Sequence, residues 1–442
     1  MLSKTWVVVD LAFGDAGKGT ITDFLVRETG ARLVVRFNGG AQAGHTVVTD
    51  DGRVHTFSQF GAGTFVPGVR THLAEPVIVH PSALLVEARH LERVLVHDAL
   101  DRLTIAESAR VITPFHQAAN RARELARGNA RHGTCGVGVG ETVRDAMENP
   151  DDAIYARDLN DAGVLLRKLG RARERLRATL EEEFLVLGDD HRELAGFLDW
   201  DLPARWVEFI RPVAGCVVPD EWLFERLRES SGDVVFEGAQ GVLLDENVGF
   251  HPHTTWSDCT PRGALALLRT HGHCGEVRRI GVLRTYLTRH GEGPFPTETP
   301  DLGPWLPEPH NDSLGWQGAF RVGYPDFVLT KYAMRVCGGV DALAVTHCDR
   351  IELMHRIAVA YENASDEALF VHDGQGRAMD LREGDLARQE RLGNALREVR
   401  PIWEDAAPGL ETRIEQLEAA LGVRVAMTSA GPAARDKVWR GR

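Results

Sequence analysis

Short unbroken apolar runs alternate along this chain with glycine-rich turns and amphipathic stretches. Trp6 to Val9 (Trp-Val-Val-Val) reads as a strand covered on both faces, because consecutive β-branched residues suit a buried parallel sheet. A glycine-rich turn follows, and Thr20 to Thr29 then has a helical pattern. Leu33 to Phe37 predicts a second strand ending in Asn38-Gly39-Gly40, and Val77 to Val79 predicts another. From about Pro81 to Leu227 the spacing of Leu among Arg and Glu is mostly helical, broken by a glycine loop at Gly133 to Gly140. Strand patterns return at Val234 to Glu237, Arg279 to Arg284, Ala342 to Thr346 and Arg424 to Thr428. The alternation predicts an α/β fold with a large, mainly parallel central sheet and helical insertions. Strands lie within both the first and the last thirty residues. We therefore expect a single domain over 1–442, with a mostly helical insertion at about 81–227.

Composition narrows the class. The chain has 442 residues and a formal charge of −13, which disfavours a nucleic-acid coat needing a basic surface. No apolar run reaches the roughly 18 residues that span a bilayer, and the N-terminus lacks signal-peptide architecture. Six cysteines are scattered without CxxC spacing, which suits a reducing compartment. A soluble cytoplasmic protein is expected, with no nucleic-acid or membrane partner. Of 51 basic residues, only Lys4, Lys18, Lys168, Lys331 and Lys437 are lysine. Where so arginine-rich a chain keeps a lysine, a compact ammonium is expected to serve better than a guanidinium.

Two loops carry candidate chemistry. Gly14-Asp15-Ala16-Gly17-Lys18-Gly19 stands between a strand and a helix, so its backbone N–H groups can face phosphate oxygens in a P-loop-like site, with Lys18 as cation. It departs from a Walker A loop at Ala12 and Gly19. Asp15 repels an anion unless it binds Mg2+ or handles a proton. The alternative is a tight strand-to-helix turn with no ligand. In Asn38-Gly39-Gly40-Ala41-Gln42-Ala43-Gly44-His45-Thr46, small residues let backbone approach a ligand, and His45 can donate to a phosphoryl group. A polar surface histidine is the bland alternative.

With Gly133-Thr134-Cys135-Gly136, Phe236-Glu237-Gly238-Ala239-Gln240-Gly241 and Gly293-Pro294-Phe295-Pro296-Thr297-Glu298, these loops form an ordered series over nearly the whole chain. The series resembles the adenylosuccinate synthetase family. The resemblance implies a GTP- and Mg2+-dependent C–N ligase that phosphorylates the 6-oxygen of IMP before the amine of L-aspartate displaces phosphate. It implies Asp15, His45 and Gln240 as catalytic residues. Asp15 would be the base at purine N1 and, with Gly44, a Mg2+ ligand. It places GTP at Gly14, Gly17, Lys18, Gly19, Gly44, Thr46, Asp349, Ser429, Gly431 and Pro432, with Asp349 reading the guanine edge. It places the other substrates at Asn38, Gln42, Thr134, Cys135, Gln240, Thr255 and Arg321. It also implies a homodimer.

The departures from the family pattern cluster. Ala16, Thr20, Gln42, Cys135, Val137, His347 and Cys348 replace expected residues, and a phosphate-contacting arginine expected near Asn149 is absent. The largest change is in Gly315 to Asp326. The family's arginine-rich run is reduced there to Arg321 alone. A dicarboxylate needs several bidentate partners, and each charged hydrogen bond is worth about 1.5–3 kcal/mol. The expected function is therefore GTP-driven activation of a purine-type carbonyl oxygen with an altered acceptor, amine or both. The alternatives are an ordinary adenylosuccinate synthetase, a GTP-dependent kinase without ligation, and an inactive binding protein. His251, His253, His271, His273 and Cys274 lack four-ligand metal spacing. Trp200, Trp206, Trp222 and Trp256 are expected to be packing residues, and Cys135 a small packing side chain.

Overall fold

A computed structural model describes residues 4–128, 131, 133–229, 232–270, 273, 275–308 and 316–440. Its central feature is a ten-stranded sheet. In chain order its strands are β1 (Lys4–Asp10), β2 (Leu33–Arg36), β3 (Arg70–Leu73), β4 (Leu103–Ala106), β5 (Val217–Val218), β6 (Val234–Glu237), β7 (Glu276–Arg284), β8 (Ala342–Thr346), β9 (Val425–Ser429) and β10 (Lys437–Trp439). Their spatial order is β10-β9-β8-β7-β1-β6-β2-β3-β4-β5. All pairings are parallel except β9 with β10. The apolar run of β1 sits mid-sheet, with Val7, Val8 and Val9 inaccessible to solvent, as expected of a strand covered on both faces.

Helix α1 (Lys18–Thr29) follows β1 through a loop whose Gly14, Asp15 and Gly17 all take positive φ. The helix begins within the glycine loop, so its unpaired N–H groups open onto the sheet's carboxyl edge. The stretch 81–227 is mostly helical and packs in a core shared with Phe57, Phe60 and Leu73, in which Leu91, Phe115, Leu169, Phe197 and Ile210 are buried. That stretch also contributes β4 and β5, which the helical pattern hides. A four-stranded antiparallel sheet (Arg356–Glu362, Phe370–His372, Ala378–Leu381, Arg400–Asp405) packs near the helix Phe327–Val336. Among the described residues no helix is long and apolar enough to cross a membrane.

Two of the four tryptophans pack at the surface rather than in a core. Trp200 is 75% exposed, with the Arg173 guanidinium 3.8 Å from its ring centroid, and Trp256 is about half exposed. Arginine cation–π contact and the backbone of Gly140 take the place of a core there. His271, Cys274 and Gly315 lie outside the described residues. No cluster of three or more His, Cys, Asp or Glu side chains among the described residues could hold a metal.

Candidate active site

The carboxyl ends of β1, β7, β8 and β9, with the hairpin His45–Val48/Val54–Phe57, enclose a cleft of about 460 Å³. Gly14, Asp15, Gly17, Lys18, Gly19, Gln42, Gly44, His45, Thr46, Gln240, Asp349, Ser429, Gly431 and Pro432 all line it. These fourteen come from five separated parts of the chain. Asn38, Thr134, Cys135, Thr255 and Arg321 do not line it.

The phosphate loop is shaped from beneath by a carboxylate that its sequence pattern does not advertise. Asp10, at the end of β1, accepts from Ala12 N (2.9 Å) through Oδ1. Its Oδ2 accepts from Ala16 N (2.8 Å) and from Lys18 Nζ (3.0 Å). Close approach fixes the loop on two sides. A Cβ on Gly19 would stand 2.6 Å from the His45 Cβ, and one on Gly241 would collide with Ala12 O.

His45 Nδ1 lies 2.7 Å from Glu237 Oε1, and Glu237 Oε2 accepts from Ala62 N (3.0 Å). Burial pushes the Glu237 carboxyl up, but His45, Arg36 and the Ala62 amide outweigh it, leaving it below the usual range and ionised. A carboxylate only accepts, so the proton of the pair sits on Nδ1 of His45 and Nε2 is left as the second functional atom. Burial lowers the His45 pKa despite the opposing charge of Glu237.

Asp15 has φ +58° and meets His290 Nε2 at 3.2 Å. Burial raises its pKa, while the His290 hydrogen bond and the charges of His290, Arg284 and Lys18 lower it; the net shift is downward. His290 was not anticipated from the sequence. It stands on Leu287–His290, one strand of a two-stranded ribbon with Phe320–Gly323. Arg284, Tyr286 and Glu308 were also not anticipated. Glu308 pairs with Arg284 and accepts from Tyr286 OH (2.6 Å). Arg284 Nη2 meets His347 Nε2 at 2.8 Å. Arginine only donates, so His347 is neutral there, carries its proton on Nδ1 and donates it to Thr346 Oγ1 (2.9 Å). Thr346 Oγ1 in turn donates to Ala16 O (2.7 Å), so the His347 end of the cleft is tied to the glycine loop after β1.

Gln42 and Gln240 keep the buried carboxamide atoms Gln42 Oε1 and Nε2 and Gln240 Oε1 without a hydrogen-bond partner among the described residues. Unpaired buried polar atoms are uncommon, and two carboxamides facing one cleft suit a planar ligand with mixed donors and acceptors. Of the expected substrate residues outside the cleft, Asn38, Thr134, Cys135 and Arg321 have side chains that already make bonds, and Thr255 is held through its backbone. Asn38 bonds Ala239 N (2.7 Å), Ala239 O (3.1 Å) and Asp258 O (2.9 Å). Thr134 Oγ1 accepts from Asn120 (3.0 Å), and Thr255 N donates to Leu244 O (2.8 Å). Cys135 Sγ accepts from Gln317 Nε2 (2.8 Å), and burial pushes its pKa up to about 11, so the thiol is neutral and unreactive. Arg321 donates to Glu298, to Gly291 O (2.9 Å) and to Gly293 O (3.1 Å). Arg350 Nε lies 3.0 Å from Asp349.

The chain matches the family model for adenylosuccinate synthetase over residues 7–438. An adenylosuccinate synthetase of Alkalilimnicola ehrlichii is 31% identical over 452 aligned positions, covering 99% of this chain and 98% of that one. One from Clostridium beijerinckii is 29% identical, covering 99% of both. Fully ligated adenylosuccinate synthetase of Plasmodium falciparum superimposes with a TM-score of 0.77 at 22% identity, over 99% of both chains. The cyanophage S-2L succinoaminodeoxyadenylate synthetase, solved with dGMP and dATP as energy donor, gives 0.60 at 17% identity, covering 99% and 96%.

Proposed function

The chain belongs to the adenylosuccinate synthetase family, and from that premise we propose that its cleft performs the family's two-step ligation on altered substrates. The coarse activity is that of the family: a GTP- and Mg2+-dependent ligase that forms C–N bonds on small molecules. The finer reading is that the oxo-acceptor, the amine, or both differ from IMP and L-aspartate.

The first step needs a proton removed from the purine-type ring and charge absorbed at the transferring phosphoryl group. Asp15, held ionised by His290, is the acceptor for the ring proton. His45 serves the phosphoryl group. Neutral in the free protein, its Nε2 gains a proton when negative charge arrives opposite it, and the Glu237 carboxylate stabilises the imidazolium. Lys18 and the loop amides hold phosphates, and Gln42 and Gln240 present their free carboxamide atoms to the ring. Asp349 offers two acceptor oxygens to a guanine edge once it releases Arg350. The Asp15 carboxylate and Gly44 carbonyl are hard oxygen donors on the cleft wall, a set that fits Mg2+. When bound there, the ion would neutralise charge on the phosphates. In the second step the amine attacks the activated carbon and phosphate leaves.

One observation carries the altered-substrate reading. The single arginine remaining in the amino-acid loop is committed to Glu298 and two carbonyls, so no guanidinium there is left for a dicarboxylate. Gln317 and His290 line the cleft instead. An amine with fewer negative charges than aspartate fits this better, because each buried carboxylate needs a charged partner. Convergence of Asp15, His45 and Gln240 in one cleft also suits the second reading, an ordinary adenylosuccinate synthetase. Steady-state turnover with GTP, IMP and L-aspartate, set against a panel of purine acceptors and neutral amino acids, decides between them. Near-normal turnover with IMP and aspartate overturns the altered-substrate proposal. A single domain and a homodimer complete the proposal. Strands drawn into one sheet from Lys4 to Trp439 support the first, the family resemblance the second, and sedimentation tests the dimer.

A further inference from the structure

Lys437, one of the five lysines, has no place in the phosphate chemistry. It opens β10 directly across from Ser429 at the end of β9, and its side chain is 6% exposed. Its Nζ donates to three successive carbonyls: Gly431 O (3.4 Å), Pro432 O (3.2 Å) and Ala433 O (2.7 Å). An ammonium has three N–H groups, and three acceptors meet them here. Ser429, Gly431 and Pro432 line the cleft, whereas Lys437 does not, so it grips this wall from behind. Other bonds fix the same segment. Thr20 Oγ1, on α1, donates to Pro432 O (2.8 Å), and Ser429 Oγ donates to Gly431 O (2.9 Å). Ala433 N donates to Asp436 Oδ2 (2.8 Å).

We propose that Lys437 is a positioning residue for the nucleotide: its ammonium draws the carbonyls of residues 431–433 inward and so holds the segment 429–432 in the shape that receives the GTP base. A compact ammonium presents three N–H groups to three successive carbonyls where a guanidinium offers a flat fork, which suits a lysine at this position in a chain with 46 arginines. The inference rests on the reading of this end of the cleft as the nucleotide site. Burial pushes the Lys437 pKa down to about 8, against the nearby charges of Asp23 on α1, Asp436 and Asp50. The lysine is thus cationic at neutral pH and gives up one donor as pH rises past that point.

The test is calorimetric titration of the full chain with GDP and Mg2+, using wild type, Lys437→Arg and Lys437→Met, with steady-state kinetics beside it. Both variants should weaken GDP by about tenfold or more, the loss of roughly one charged hydrogen bond. The KM for GTP should rise with it, while kcat and the acceptor KM stay within about twofold. A merely structural lysine would change all parameters or none. The wild-type advantage over Lys437→Met should shrink as pH passes about 8. Unchanged GDP affinity in both variants, or full function in Lys437→Arg, overturns the proposal. If Lys437→Met does not fold, Lys437→Arg and the wild-type pH series still decide it. Wild type that binds no GDP overturns the nucleotide reading and this clamp together, a result distinct from wild type that binds and variants that bind equally.

Discussion

Lys18 and Asp10 form a buried ion pair, with Nζ 3.0 Å from Oδ2 and both side chains almost wholly out of solvent. Asp10 also takes the amides of Ala12 and Ala16, so one carboxylate sets both the phosphate loop and its cation. Breaking a buried pair by removing one partner leaves an uncompensated charge and costs about 3–5 kcal/mol. Asp10→Ala should therefore lower unfolding stability by that order in urea and raise the KM for GTP. A variant as stable as wild type would show that the loop holds its shape without Asp10.

The His45–Glu237 pair leaves Nε2 as the imidazole atom that would face the phosphoryl group in the proposed reaction. Glu237→Gln keeps the shape but removes the charge that favours the imidazolium. It should lower kcat by roughly 10²-fold, within the range of general acid–base effects, with little change in the KM for GTP. Equal kcat would mean that His45 acts without its partner.

Arg321 gives the altered-substrate reading a direct check. Since it bonds Glu298 and the carbonyls of Gly291 and Gly293, Arg321→Lys should lower the melting temperature by about 1 °C, the shift expected for about 1 kcal/mol in a chain of this length. The KM for the amine should stay within about threefold, well under the tenfold that 1.4 kcal/mol of lost binding would bring. A tenfold rise in that KM would place Arg321 on the substrate.

Asp145 predicts an acid limb of stability. Burial raises its pKa, but hydrogen bonds and charges from His116 and Arg175 outweigh it and hold it at about 2, below the ordinary 3.8. A depressed carboxyl adds stability above its unfolded pKa and loses it as pH falls through the folded one. The contribution, about 2 kcal/mol, should thus be full above pH 4 and gone below about pH 2. Asp145→Asn should flatten the stability–pH curve of the wild type across that window. An unchanged curve would assign acid unfolding to other groups.

Parts of this architecture were readable in the chain, and physical reasons separate them from the rest. Ala342–Thr346 forms the strand that its apolar run implies, and β1 and β6 fall where consecutive buried valines stand. Arg70–Leu73 was missed because Arg-Thr-His-Leu carries one aliphatic residue; its burial comes from its neighbours in the sheet. Leu103–Ala106 was lost inside a stretch whose dominant period is helical. Glycine loops located the cleft because backbone geometry is local. His290, Asp10 and Arg284 were not located, since their partners lie across the sheet and no spacing rule reports them.

The strand order also bears on when the protein can work. β1 lies between β6 and β7, more than two hundred residues further along the chain, and the cleft's last wall comes from residues 429–432, braced by Lys437. The phosphate loop is therefore made some four hundred residues before the wall at 429–432 that faces it. Such long-range pairing folds slowly, so the loop stays unbraced until strands more than two hundred residues later have formed. Nucleotide binding should then report the docking of residues 429–432 at the sheet edge, and removal of the Lys437–Trp439 strand should weaken it.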